Sequence, residues 1–205
     1  MKVVVIADDI LRAELMSVSS PAAGVEWQTT IAGLQNADCC IDLLFDNEAE
    51  RIQQLSAAGV PLVIVNDVSH RTNLPENFAR INGWPTLLKG NTAEISGEEQ
   101  WKEKTGSVLQ LFGKAMIWLP AQPGFVTPRV ISMIINEAYL ALGEQVSTRE
   151  EIDTAMKLGT NYPYGPFEWA EQIGIARVAD LLESLAATDP RYTPAALLLK
   201  DAGKQ

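Results

Sequence analysis

His70 is the only histidine in the chain, so it is the one side chain whose ordinary pKa lies where a general base for neutral-pH chemistry needs it. It follows the apolar run Val60 to Val65, which places it at the carboxyl edge of a sheet, where ligands of doubly wound folds bind; the alternative reading is a solvated loop histidine beside Arg71. Asp8 and Asp9 come directly after the first apolar run, Val3 to Ile6. An acid there caps the helix that follows by accepting from its unpaired N–H groups. Cys39 and Cys40 are neighbours inside an apolar run, which suits buried free thiols and not a structural disulfide. With one histidine, no zinc site is expected.

The elements that position these residues divide into two kinds. Strands are expected at Lys2 to Ala7, Val25 to Gln28, Cys39 to Phe45 and Val60 to Val65. Helices follow the first of these, from Asp9 to about Ser17, and the third, from Asn47 to Gly59, with only a brief helical turn after the second. Runs such as Val3-Val4-Val5-Ile6 and Leu62-Val63-Ile64-Val65 suit parallel strands covered on both faces. Further strands are expected at Phe78 to Ile81, Thr92 to Ser96 and Lys114 to Leu119, with a helix from Glu98 to Phe112 closed by Gly113. After a joint at Pro120 to Gly124 the period becomes helical and stays so. The expected architecture is α/β: a truncated Rossmann-like doubly wound sheet over residues 1–119, then an all-α domain over 120–205.

In the second part, the helix Val126 to Leu142 carries two apolar stripes and leaves only Arg129, Ser132 and Asn136 as a narrow polar edge, so most of its surface must be covered. The next helix opens on a capping box of Ser147 and Glu150 and closes at Gly159. A third starts at Gly165-Pro166 and stops at Gly174, and a fourth aligns Ile175, Val178, Leu182 and Leu185. Trp84, Trp101, Trp118 and Trp169 sit in apolar patterns and read as core or interface residues.

Composition narrows the partners. Of 205 residues 47% are apolar and 20% charged, as in an ordinary globular protein. The net charge of −10 is shared by both parts, with 9 basic against 15 acidic residues up to 119 and 7 against 11 beyond. No basic face is left for nucleic acid or an anionic membrane. No apolar run approaches a bilayer span, and Val3 to Ile6 is too short for a signal peptide, so a cytoplasmic protein is expected.

Four motifs carry a family resemblance: Pro123-Gly124-Phe125-Val126-Thr127-Pro128-Arg129, then Asn136-Glu137-Ala138, then Ile152-Asp153-Thr154-Ala155-Met156-Lys157-Leu158-Gly159, then Gly165-Pro166-Phe167-Glu168. In this order and spacing they closely resemble the C-terminal domain of the 3-hydroxyacyl-CoA dehydrogenase family, over roughly residues 117 to 200. The resemblance implies an N-terminal Rossmann-type NAD domain, oxidation of a 3-hydroxyacyl-CoA by hydride transfer to NAD, and a homodimer built through residues 125–200. It also implies a long helical insertion before Ala37, which this chain lacks.

Laid on the family pattern, the functional positions are altered. The three glycines of the phosphate-binding turn fall on Ala7, Asp9 and Arg12, and the ribose-binding acid has no counterpart beyond Glu26. The family glutamate falls on Glu94, but the histidine it orients, twelve residues earlier, falls on Asn82, whose amide has no basicity near neutral pH. The family asparagine falls on Pro128, and the family serine on Val68 or, with a slip of one, Ser69. The expectation is therefore a site-degenerate relative that needs no cofactor, with acyl-CoA kept as a possible ligand. The enzymatic alternative is a dehydrogenase whose rearranged site uses His70 and Glu94.

Overall fold

The structure, a computed structural model, describes residues 1–21, 23–70 and 72–204. The chain divides into two compact units, Met1–Phe125 and Val126–Gln205. The first unit runs β1 (Val3–Ile6), α1 (Asp9–Leu15), β2 (Val25–Gln28), β3 (Cys39–Asp42), α2 (Ala49–Ala57), β4 (Leu62–Asn66), β5 (Phe78–Ile81), β6 (Thr92–Gly97), α3 (Lys102–Gln110) and β7 (Ala115–Trp118). The strands form one sheet in the order β2-β1-β3-β4-β5-β6-β7. Every residue of β1 and β3 is buried, as continuous apolar runs covered on both faces require. Val3, Val5, Cys39 and Ile41 face a core closed by α1 and α3, while Val4, Ile6, Cys40 and Val63 face one closed by Leu55 of α2 and by Leu34 and Ala37.

Three features differ from the sequence expectation. The link from β2 to β3 is a run of bends and turns with no helix, because Gly33 and Asn36 both take positive φ (63° and 65°) and break any helical continuation. Leu34 and Ala37 still plug the face that a crossover helix would cover. Strand β6 lies antiparallel to β5 while all other pairs are parallel. The connection from residue 82 to 91 holds no helix, so the chain turns back beside β5 instead of crossing over. The helix expected from Glu98 starts as a 3₁₀ turn, Glu99–Trp101, and ends at Gln110; Gly113, at φ 70°, then swings the chain into β7.

The second unit contains α4 (Thr127–Gly143), α5 (Arg149–Thr160), α6 (Pro166–Ile173), α7 (Ile175–Ala186) and the short α8 (Ala196–Asp201). The capping box of α5 sits one residue later than its sequence reading. Thr148 accepts from Glu151 N and Glu151 accepts from Thr148 N, both at 3.3 Å, while Ser147 Oγ supports Glu151 Oε2 at 2.6 Å. The helix closes on Asn161 in the left-handed region, not on Gly159. Asp153 of α5 receives Phe167 N (2.8 Å) and Glu168 N (3.2 Å) at the start of α6. A Cβ on Gly165 would stand 2.3 Å from the Asp153 carboxyl carbon, so the two motifs are joined by direct contact that only glycine permits. The supposed polar edge of α4 points inward: Ser132 and Asn136 are buried, and Asn136 holds the chain before α8 by donating to Thr193 O (3.0 Å) and accepting from Ala195 N (2.8 Å). The face left open is apolar instead, with Val126 and Val130 each just over half exposed.

Candidate functional site

The first βα turn is closed by its own side chains. Asp8 is extended (φ −78°, ψ 177°) and its Oδ1 accepts from Leu11 N at 2.8 Å, occupying one of the free donors at the start of α1. Ala7 is buried, Asp9 is exposed in the first turn, and the Arg12 guanidinium lies 4.9 Å over the Trp27 ring of β2. Glu26 is exposed and pairs with Lys2 at 3.2 Å. A dinucleotide pyrophosphate needs those helix donors and a close approach of backbone. Here the Asp8 carboxylate takes one of those donors, and Ala7, Asp9 and Arg12 stand where the resemblance would set the glycines, so the residues do not fit that group.

The next strand ends are occupied in the same way. Asp42, at the end of β3 and fully buried, receives both Arg51 Nε (2.7 Å) and Nη2 (2.9 Å) from α2. Burial raises its pKa and the guanidinium opposes that rise. Asn66, ending β4, donates to Leu43 O and Gly83 O at 3.1 Å and accepts from Gly83 N at 3.0 Å, tying three strand ends together.

His70 belongs to a network built on Asp67. That buried carboxylate accepts from Arg80 Nε (2.8 Å), from His70 N (3.0 Å) and from Ser69 Oγ (3.0 Å). The imidazole is half-buried with φ 52°; its ring meets Phe125 edge-on at 5.3 Å, and Nε2 lies 3.5 Å from the buried Ser96 Oγ. Burial, then the Arg80 charge, lower its pKa to about 4 against the pull of Asp67. The reading of His70 as solvated therefore fails, because Phe125 and β6 close over the loop; its expected neighbour Arg71 lies outside the described residues. Arg80 was missed in the sequence, although an arginine inside the strand Phe78–Ile81 signals a buried partner.

Asn82 and Glu94 are brought together. Both are buried, Asn82 directly after β5 and Glu94 in the neighbouring β6, with Asn82 N donating to Glu94 O at 3.0 Å and Asn82 Nδ2 to Glu94 Oε2 at 3.1 Å. The amide thus stands beside the glutamate, in the relation the resemblance gives a histidine. The loop after Asn82 is fixed by two buried charges: Glu14 of α1 receives Thr86 N at 2.7 and 2.9 Å, and Lys114 Nζ donates to Leu88 O (2.6 Å) and Gly90 O (2.7 Å). Val68 is buried, and Pro128 sits in the first turn of α4, where its missing N–H leaves no gap. Cys39 and Cys40 are buried free thiols, Cys39 pushed up to about 12 by burial. Among the described residues no group of three or more histidine, cysteine or acidic side chains is placed to hold a metal ion, and no helix is long and apolar enough to cross a membrane.

Residues 124–204 match the model of the 3-hydroxyacyl-CoA dehydrogenase C-terminal domain. The chain is 45% identical over 96 residues to 3-hydroxyadipyl-CoA dehydrogenase of Escherichia coli, covering 46% of this chain and 20% of that protein. It is 36% identical over 142 residues to 3-hydroxybutyryl-CoA dehydrogenase of Clostridioides difficile, covering 66% of this chain and 50% of that one. It therefore spans only a fifth to two thirds of the length of these curated relatives and of a probable 3-hydroxybutyryl-CoA dehydrogenase of Bacillus subtilis. Its fold is that of the crystal structure of (S)-3-hydroxybutyryl-CoA dehydrogenase from Ralstonia eutropha, with a TM-score of 0.73 at 21% identity over 98% of this chain and 94% of that one. The motif contact between Asp153 and Gly165, the Rossmann-type sheet and these matches agree: residues 124–204 match the 3-hydroxyacyl-CoA dehydrogenase C-terminal domain, and the chain is similar in sequence to 3-hydroxyacyl-CoA dehydrogenases and shares the fold of a solved one.

Proposed function

We propose that this protein is a family member that has lost NAD binding and dehydrogenase catalysis and works as a dimeric binding or interaction module. The observation that carries this reading is the Asp8 carboxylate on Leu11 N, in the turn where the family holds pyrophosphate. A phosphate charge about 4 Å from it would be disfavoured by up to about 4 kcal/mol at an effective dielectric near 20, on the order of a thousandfold in affinity. The substrate side supports the same reading, since Asn82 cannot accept a proton from an alcohol and Pro128 offers no side-chain donor. Titration calorimetry with NAD should give no dissociation constant at or below roughly tens of micromolar, a range worth about 6–7 kcal/mol; one in that range would overturn the reading. Acyl-CoA remains a candidate ligand, read out by a thermal shift with several chain lengths. The buried free thiols Cys39 and Cys40 suit the reducing cytoplasm.

One observation favours a second reading. His70 stands at the carboxyl edge of the sheet with a neutral imidazole, so an active dehydrogenase with a rearranged site would use it, with Glu94, as its acid–base pair. Against this, a base whose pKa is near 4 lies well below the pH at which it would have to hold a substrate proton.

A further inference from the structure

We infer that the turn Trp84–Leu87 is a gate over Asn82 and Glu94 with an open and a closed state, and that Glu14 of α1 is the latch that holds it closed. This rests on the proposed reading of the chain as a binding module, with the Asn82–Glu94 pair marking its ligand site, and it gives that site a means of control. Leu87 N donates to Trp84 O at 3.1 Å, with Pro85 and Thr86 between them and Thr86 at φ 72°. A turn with proline at its first central position and a positive φ at the second calls for glycine or asparagine there. Threonine, branched at Cβ, is among the residues least suited to that conformation. Its Oγ1 is also buried with no hydrogen-bond partner among the described residues. The closed turn is therefore unfavourable by itself, and a contact from outside must hold it.

That contact is a carboxylate. Both oxygens of the buried Glu14 accept from Thr86 N, at 2.7 and 2.9 Å. The two ends of the turn are pinned separately. Asn66 accepts from Gly83 N at 3.0 Å and donates to Gly83 O at 3.1 Å on one side. On the other, Leu88 is fully buried, Lys114 Nζ donates to Leu88 O and Gly90 O, and Ser17 Oγ donates to Lys89 O. A strained turn between two fixed ends, clasped by a charge on another element, has a defined second state, unlike a loop that frays along its length. Trp84 is buried and its N lies 3.4 Å from Asn82 Oδ1, so the closed turn shuts Asn82, and Glu94 bonded to it, away from solvent. When Thr86 leaves Glu14 and relaxes to negative φ, its hydroxyl reaches water and Trp84 draws away from Asn82.

Amide hydrogen exchange followed by NMR on the whole chain tests the gate at Leu87 N, which bonds Trp84 O and not Glu14. In the natural chain Leu87 N should exchange at least about a hundredfold faster than the amides of Val5 and Ile41 in the central strands, and with little dependence on low urea, the marks of an opening smaller than global unfolding. Glu14→Met keeps the bulk and removes the acceptor, and should speed Leu87 by roughly tenfold, the scale of a hydrogen bond to a charged group. Thr86→Gly relieves the positive φ and should slow it by roughly tenfold. It decides the matter even if Glu14→Met does not fold. Leu87 exchange that rises with urea in parallel with Val5 and Ile41, or that neither substitution moves, overturns the gate. Acetoacetyl-CoA, read by thermal shift, should stabilise Glu14→Met by more than the natural chain and Thr86→Gly by less. Equal shifts in the three chains overturn the gating of the site. A shift in none of them overturns acyl-CoA as the ligand, and exchange at Leu87 then decides the gate by itself.

Discussion

Replacing Asp8 with alanine should move two properties in opposite directions. Its carboxylate accepts from Leu11 N at 2.8 Å and is the side-chain cap of α1, a helix of seven residues. Loss of such a cap costs about 1 kcal/mol, with a range of about 0.5 to 2, which lowers Tm by roughly 2–4 °C in a chain of this size. The same substitution removes the charge that opposes phosphate. Asp8 is solvent-exposed, so the repulsion it exerts at about 4 Å lies between about 1 kcal/mol in bulk water and about 4 kcal/mol near a protein surface. Asp8→Ala should therefore bind NAD roughly 5- to 1000-fold more tightly than the natural chain while being less stable. Urea titration and calorimetry on the same two samples measure both quantities. If NAD binds the natural chain in the tens of micromolar and Asp8→Ala weakens it, the carboxylate supports nucleotide and the reasoning about the closed turn is wrong.

Other outcomes follow from the buried charges. Arg80→Met strands the buried Asp67 without its cation and should cost about 3–5 kcal/mol in urea unfolding; Asp67→Asn in the same chain should recover most of it. His70, held neutral with its pKa near 4 against an ordinary 6.5, makes the unfolded chain the better proton acceptor between those values. Stability should therefore fall as pH drops from about 6.5 to 4, by about 1–2 kcal/mol after allowing for the partial exposure of the ring, and His70→Gln should flatten that slope. Asn82→His with Pro128→Asn should remain inactive as a dehydrogenase, since the Asp8 turn is unchanged; measurable turnover in the double variant would locate the loss on the substrate side alone.

What the sequence disclosed was order and period. Continuous apolar runs marked β1, β3 and β4, and Pro166 with Gly174 bounded α6, because each signal depends on its immediate neighbours. Strand direction is not written in Thr92–Gly97; β6 runs antiparallel because the ten-residue link before it holds no helix. The inward turn of Ser132 and Asn136 was hidden for a similar reason, since Asn136 finds its partners in the Thr193–Ala195 segment far along the chain. The shift of the capping box from Ser147 to Thr148 is a choice between adjacent hydroxyls that both bond Glu151. At the site, the pairing of Asn82 with Glu94 was legible from their twelve-residue spacing and the resemblance, and the geometry joins them. The burial of His70 was not, because it depends on Phe125 and Ser96, which only the fold brings near.

The central claim is that catalysis is gone, and NADH absorbance with acetoacetyl-CoA as substrate tests it most directly. The natural chain, at concentrations well above those needed for an active dehydrogenase, should give no change above the enzyme-free blank, and His70→Ala should be indistinguishable from it. Clear turnover by the natural chain that disappears in His70→Ala would contradict the account and establish a working enzyme with a rearranged site.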